Sequence, residues 1–264
     1  MLEHKILYNS MEISNDYGRR DYIEAPEKAI MEKLSGWLPA AGMLDMGVGG
    51  GRTTKYFAPL AGRYTGADYA PSMINICRAK YGSLYPFTEC DARKMDRFRD
   101  SSFDFVLFSY NGIDSFSHTD RMTALKEIAR VLRTGGYFAF SSHNLNWSML
   151  PDLFRLKGPD EDKHKSVAFY ARQGFKNLRL SYLNKSLLMG NLIERLKKNE
   201  RGCLYDNSLN GKASIYYITS REQKRQLHKN GFRDIMTFGR CGRETGKEDE
   251  LNRGAWIYYL CRKR

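Results

Sequence analysis

The sequence predicts a doubly wound α/β fold with a mostly parallel sheet, on three observations. Short apolar runs bounded by Gly and Asp alternate with stretches of helical periodicity, a glycine-rich loop joins the first run to the helix after it, and aspartates stand at or just after the ends of the next two runs. Strand, helix, strand in repeated units implies parallel strands joined by crossover helices.

An N-terminal arm carrying Tyr8, Tyr17 and Tyr22 leads into a predicted helix from Pro26 to Leu38, where Pro suits the first turn and Ala29, Ile30, Leu34 and Trp37 share one face. Strands are expected at Gly42–Met46, Tyr64–Asp68, Tyr85–Glu89, Phe103–Ser109 and Tyr137–Ser142, with helices at Thr53–Leu60, Ser72–Tyr81 and Thr119–Leu132 between them. After Asn144 the alternation breaks into a charged, irregular stretch with one helix expected at Leu187–Lys198. The pattern resumes at Ser214–Ile218. A helix capped by Thr219 or Ser220 then runs to Lys229 and stops at Asn230-Gly231, before strands at Asp234–Phe238 and Ala255–Cys261. One domain over 1–264 is expected: arm and helix in 1–40, a cofactor-binding half in 41–144, a lid insert in 145–212, and the C-terminal strands and helix in 213–264.

Composition is that of a globular protein that folds throughout, with 42% hydrophobic and 28% charged residues. No window approaches the ~20 apolar residues of a membrane span. The start, MLEHKILYNSMEIS, lacks the apolar core and cleavage site of a secretory signal, so a cytoplasmic protein with no membrane contact is expected. The five cysteines are scattered without metal-ligand spacing, which predicts reduced thiols and no metal site. The net charge of +13 favours an anionic partner, and residues 152–212 alone hold 13 Lys and Arg against 7 Asp and Glu.

The segment Met43-Leu44-Asp45-Met46-Gly47-Val48-Gly49-Gly50-Gly51-Arg52-Thr53 closes a strand and opens a helix. Glycines there let the backbone turn tightly and approach a ligand, and a helix N-terminus offers free N–H groups. The dinucleotide pattern GxGxxG fails because its third position is Arg52; the spacing is DxGxGxG, which points away from a pyrophosphate ligand.

Over about residues 40–143 this loop and the segments after it resemble the class I S-adenosylmethionine-dependent methyltransferases, whose first motif is an acid followed by GxGxG. The resemblance implies a Rossmann-like, mostly parallel seven-stranded sheet with an antiparallel last strand, a lid insert between strands five and six, and S-adenosyl-L-methionine as cofactor. It places Gly47, Gly49 and Gly51 against the methionine part, with Asp45 near its amino group. Asp68, in YTGADYAPSM, would hold the ribose hydroxyls, with Tyr69 beside it and Met73 over the adenine. Asp91 in ECDARKM would reach the adenine amino group together with the Ser109 carbonyl, and Ala92 would donate its N–H to the ring. Tyr17, Arg19 and Arg20 lie in an arm that closes over the cofactor in such enzymes, where Arg20 could hold the methionine carboxylate.

Methyl transfer from a sulfonium is an in-line displacement that needs alignment and exclusion of water more than acid-base machinery. A hydroxyl acceptor does need a base. Candidate catalytic residues are Asp114, His143 and Tyr17; His118 is expected to cap or precede the helix near Thr119. The stretch from Tyr110 to Asn144, with YYITSREQKRQLHKNGF and WIYYLCRKR, is similar to bacterial N-methyltransferases of amino sugar and antibiotic pathways. That likeness implies a small-molecule acceptor, anionic or an amine, surrounded by Tyr8, Asn111, Phe116 and Tyr217, and allows a homodimer. A tRNA or rRNA methyltransferase is the main alternative, since a basic lid could track phosphates. Against nucleic acid stand the absence of an (N/D)PP(Y/F) motif, of a Pro-Cys nucleophile and of an RNA-binding module. A protein that binds the cofactor without turnover is the third reading.

Overall fold

The structure, a computed structural model, describes residues 2–154, 167–207 and 211–264. Two helices, α1 (Leu2–Tyr8) and α2 (Met11–Arg19), form the arm. Helix α3 (Ala25–Leu34) opens with Pro26 and a capping box in which Glu24 and Glu27 each satisfy the other's backbone N–H. It ends four residues earlier than expected, and a 3-10 turn at Leu38–Ala40 leads into the sheet.

Strand β1 (Gly42–Met46) lies between β2 (Arg63–Asp68) and β4 (Phe103–Phe108), with β3 (Phe87–Glu89) outside β2 and β5 (Leu132–Asn144) outside β4, all parallel. The last strand, β9 (Trp256–Lys263), runs antiparallel between β5 and β8 (Phe232–Phe238). These seven strands match the expected arrangement. The crossovers reverse direction between β1 and β4, and ligands of such sheets bind outside the carboxyl ends at that reversal.

Side chains alternate between the two faces. On β4, Val106 and Phe108 pack with Leu125 and Ile128 of helix α6 (His118–Val131), while Phe105 and Leu107 pack with Ile30 of α3 and Ile74 of helix α5 (Pro71–Tyr81). Helix α6 begins at His118 because Ser117 caps it, accepting from the Asp120 N–H. Thr219 does the same for helix α9 (Ser220–Lys229) through Glu222. A short α4 (Thr54–Phe57) follows the glycine loop.

Among the described residues the sheet has nine strands, not seven. The additional pair, β6 (Arg201–Tyr205) and β7 (Ser214–Ile218), is an antiparallel hairpin whose second strand lies past the insert expected at 145–212. Only β7 was legible, because Arg201–Tyr205 has a single fully buried residue and no apolar alternation. Helix α7 (Val167–Leu183) leads to helix α8 (Met189–Lys198), and α8 builds a third core with the hairpin around Leu192, Ile193, Leu204 and Ile215. His143 of β5 pairs with Trp256 on one edge and Tyr217 on the other. Strand β7 therefore continues the edge that β4 leaves at Phe140, over the carboxyl ends of the parallel strands. Residues 155–166 and 208–210 of the expected insert lie outside the described residues. Among the described residues no helix is long and apolar enough to cross a membrane.

Candidate functional site

Past β1 the chain turns through Gly47, Gly49 and Gly51, each at a left-handed φ of 65°, 56° and 80°. A Cβ on Gly47 would lie 2.5 Å from the Phe108 ring, and one on Gly50 would lie 2.5 Å from the Tyr17 carbonyl oxygen. The loop is thus a seat for the arm as well as a bend. The arm is also anchored on α5, where Ser72 donates from its N–H to Asn9 Oδ1 and from its hydroxyl to the Tyr8 carbonyl.

Asp68, at the end of β2, accepts the Gly49 N–H at 3.0 Å and the Ala70 N–H at 2.9 Å, one on each carboxylate oxygen. It faces a cavity of about 560 Å³ lined by Gly47, Gly49, Tyr69, Met73, Ala92 and Phe116. The Tyr69 hydroxyl is buried without a hydrogen-bond partner. Asp45 lies below the loop, accepting from Thr53 Oγ1 at 2.6 Å and Tyr64 OH at 2.8 Å. Burial pushes both Asp45 and Asp68 from an ordinary 3.8 up to about 6.

These two carboxyls hold protons more tightly folded than unfolded, so the stability they contribute is present below 3.8 and is lost as pH rises through about 6. Lowering the pH from about 7 to about 5 is expected to stabilise the ligand-free protein by about 1 kcal/mol per group. Chemical denaturation at the two pH values, compared with Asp68→Asn, checks this; the variant should lose its share of the gain.

A smaller cavity of about 360 Å³ adjoins the first, lined by Arg20, Asp45, Gly49, Gly50, Arg52 and Ser109. The Arg20 guanidinium lies 3.9 Å from the Tyr17 ring centroid and donates through Nη2 to Asp16, while its Nη1 is buried without a partner. Arg19 is exposed and lines none of these cavities.

A third cavity, of about 1030 Å³, is bounded by Tyr8, Tyr17, Tyr110, Asn111, His143 and Trp256. Tyr17 and Tyr110 line all three cavities and so stand where they meet. Tyr110 and Asn111 are consecutive non-glycine residues at left-handed φ, 53° and 60°, a conformation that costs on the order of 1 kcal/mol each and concentrates at functional sites. The Asn111 side-chain oxygen is buried without a partner. Burial raises the Tyr8 phenol to about 12 and the Tyr17 phenol well above its usual range, so both stay protonated and can donate but not act as bases near neutrality.

His143 and Asp114 are brought together. Asp114 is shut away from solvent; one carboxylate oxygen pairs with the buried Arg121 at 2.6 Å and accepts from Ser142 Oγ at 2.7 Å. Its other oxygen accepts from His143 Nδ1 at 2.7 Å and from the His143 backbone N–H at 2.6 Å. A carboxylate on Nδ1 favours the tautomer with Nδ1 protonated, and among the described residues no hydrogen bond engages Nε2; His143 lines the third cavity. Asp114 itself lines none of the three cavities.

Several expected residues lie elsewhere, among them Phe116, which was expected around the acceptor and lines the 560 Å³ cavity instead of the third. Asp91 is turned from the 560 Å³ cavity to chelate Arg93, which holds its carboxyl below the usual range, although Ala92 beside it does line the cavity. Tyr217 stands behind His143, ring centroids 5.1 Å apart, with its hydroxyl on Asp206. His118 stacks on Tyr216 and bonds its hydroxyl. Three residues that sequence reasoning did not place complete the site. Arg52, which breaks the dinucleotide pattern, pairs with fully buried Glu27 at 2.5 and 2.6 Å. Glu27 in turn accepts from Ser109 Oγ and Tyr258 OH, tying α3, the glycine loop and the end of β4 together. Trp256 closes the third cavity from β9.

Residues 44–140 match the family model for a methyltransferase domain. Over 123 residues the chain is 34% identical to the ubiquinone/menaquinone biosynthesis C-methyltransferase UbiE of Burkholderia mallei, an alignment spanning 44% of this chain and 49% of that protein. The chain thus spans about half the length of the curated relatives it matches. Among solved structures, an S-adenosylmethionine-dependent methyltransferase from Mesorhizobium loti covers 90% of the chain and 98% of its own length at TM-score 0.60 and 16% identity. The 1,6-didemethyltoxoflavin-N1-methyltransferase of Burkholderia thailandensis, with bound 1,6-didemethyltoxoflavin and S-adenosylhomocysteine, covers 99% and 87% at 0.57 and 15%. Residues 44–140 are therefore similar to a methyltransferase domain, and the chain shares the fold of these S-adenosylmethionine-dependent methyltransferases.

Proposed function

We propose that this chain transfers the methyl group of S-adenosylmethionine to a nitrogen or oxygen of a small-molecule acceptor. The observation that carries this reading is Asp68, a buried carboxylate with spare lone pairs on the wall of a slot whose end joins a separate, aromatic-walled cavity at Tyr17 and Tyr110. The residues present fit the cofactor. Asp68 would accept both ribose hydroxyls, Met73 and Ala92 would sandwich the adenine with Phe116 at its edge, and the unpartnered Tyr69 hydroxyl is available to the nucleoside. Arg20 Nη1 would hold the carboxylate of the amino-acid tail beside Gly49. The cofactor supplies a methyl group on a sulfonium; the chain aligns it and excludes water.

The four aromatic rings in the lining of the third cavity support a small acceptor over a nucleic-acid strand, which needs a long basic groove. The identity of the methylated atom is carried over from neither UbiE nor the toxoflavin enzyme. Asp68→Ala is expected to weaken S-adenosylhomocysteine binding by about 1 to 3 kcal/mol, roughly 5- to 150-fold, through lost charge-assisted hydrogen bonds. Isothermal calorimetry checks this, and labelled methyl transfer to a panel of phenols, N–H heterocycles and amines checks turnover. Unchanged affinity in the variant would show that the ribose lies elsewhere.

A further inference from the structure

We infer that the acceptor is protic and planar, a phenol or an N–H heterocycle, and that His143 Nε2 takes its proton with Asp114 positioning the imidazole; this rests on the methyl-transfer reading above. An O–H or aromatic N–H acceptor that kept its proton would become a high-energy cation on methylation, so the proton must leave as the methyl arrives. A neutral amine needs no such help. The site devotes a buried carboxylate, a buried arginine and a serine to holding one imidazole in the lining of the cavity. That arrangement suits the collection of a proton there.

The step balances. The acceptor's O–H or N–H bond breaks with its proton passing to Nε2, the freed electron pair bonds the methyl carbon, and the carbon–sulfur bond breaks toward sulfur, leaving neutral S-adenosylhomocysteine and an imidazolium. Asp114 stabilises that imidazolium at 2.7 Å, and the proton then passes to solvent through the open third cavity. The rings of Tyr8, Tyr17, Tyr110 and Trp256 suit a planar acceptor, beside Glu12, Asp16 and Arg20 in the same lining. The unpartnered Asn111 oxygen on the same wall would receive a second N–H or O–H of the acceptor.

The titratable and charged groups facing His143 come from every side: Asp114 directly with Arg121 behind it, the Tyr217 hydroxyl from β7, Tyr110 from the end of β4, and Glu12, Asp16, Tyr17 and Arg20 from α2 across the cavity. Trp256 packs edge-on at 6.1 Å from β9. Among them Asp114 alone is hydrogen-bonded to the ring, so it sets the ring's role.

The test uses 4-nitrophenol, whose anion is coloured, added to the full chain loaded with S-adenosylhomocysteine. At a pH about one unit below the probe's own pKa, the bound probe should carry about tenfold more anion relative to neutral phenol than it does in solution. In His143→Gln the bound probe should regain its solution ratio while S-adenosylhomocysteine affinity, measured by calorimetry, stays unchanged. Asp114→Asn should also lower the anion fraction, a spectroscopic change that a purely structural role would not produce. Absence of probe binding, a bound probe with its solution ionisation, or the same anion fraction in His143→Gln would each overturn the inference. Loss of S-adenosylhomocysteine binding by the wild-type protein would instead strike the methyl-transfer reading.

Discussion

Glu27→Ala is expected to destabilise the protein by about 3 to 5 kcal/mol, because it strands the buried Arg52 guanidinium without its ion-pair partner. Arg52 has 8% of its side chain exposed and keeps one further bond, to the Tyr22 carbonyl at 3.0 Å. The loss also frees Ser109 Oγ, the Tyr258 hydroxyl and the Glu24 N–H from their acceptor. Denaturant unfolding measures the change. Replacing both partners by apolar residues, Glu27→Leu with Arg52→Met, should recover most of the stability, since the pair's desolvation cost disappears with its attraction. The double variant should nevertheless bind S-adenosylhomocysteine more weakly, because nothing then ties the glycine loop to α3 and to the end of β4. Near-wild-type stability of Glu27→Ala would show that water reaches Arg52.

Arg121→Ala should cost a similar amount, about 3 to 5 kcal/mol, by leaving the Asp114 charge buried. Arg121 is fully buried and donates to Asp114, the Ile113 carbonyl, Ser142 Oγ and Gln223 Oε1. It joins α6 to β5 and to α9, and removing its side chain also opens a cavity below the Tyr216 ring, 4.9 Å from the guanidinium. Unfolding free energies measure the cost. Arg121→Lys should restore part of it, because a point charge satisfies Asp114 but cannot reach four acceptors as the planar fork does. An Arg121→Ala protein as stable as the wild type would contradict the ion-pair assignment.

The legible part of the fold was local. The apolar run Gly42–Met46, the glycines after it and Asp68 at the next strand end all signal through their immediate neighbours, and the structure places Met46, Gly47, Gly49 and Asp68, though not Gly51, at one cavity. Thr219 as a cap and Asn230-Gly231 as a stop were legible because capping depends on adjacent residues. What escaped depends on distant partners. Glu27 and Arg52 are 25 residues apart, and their union has no trace in either segment's periodicity. His143 and Asp114 each stand out as candidates, yet their pairing over 29 positions appears only when β5 and the turn after β4 meet. The helices of the arm were missed because α2 buries only Ser14 and gains its order by resting on Gly50 and α5. Asp91 shows the converse: a motif position gives no rotamer, and the neighbouring Arg93 captures its carboxylate. Tyr217 sits in an apolar strand whose register aims it at Asp206 and the rear of His143.

The central claim is that a sulfonium nucleoside lies across the carboxyl ends of β1, β2 and β4, with its sugar on Asp68. Calorimetric titration of the purified chain with S-adenosylhomocysteine tests it most directly. Saturable heat at one site per chain, sharply reduced in Asp68→Ala, is expected; a wild-type protein giving no heat with either this compound or S-adenosylmethionine would contradict this placement.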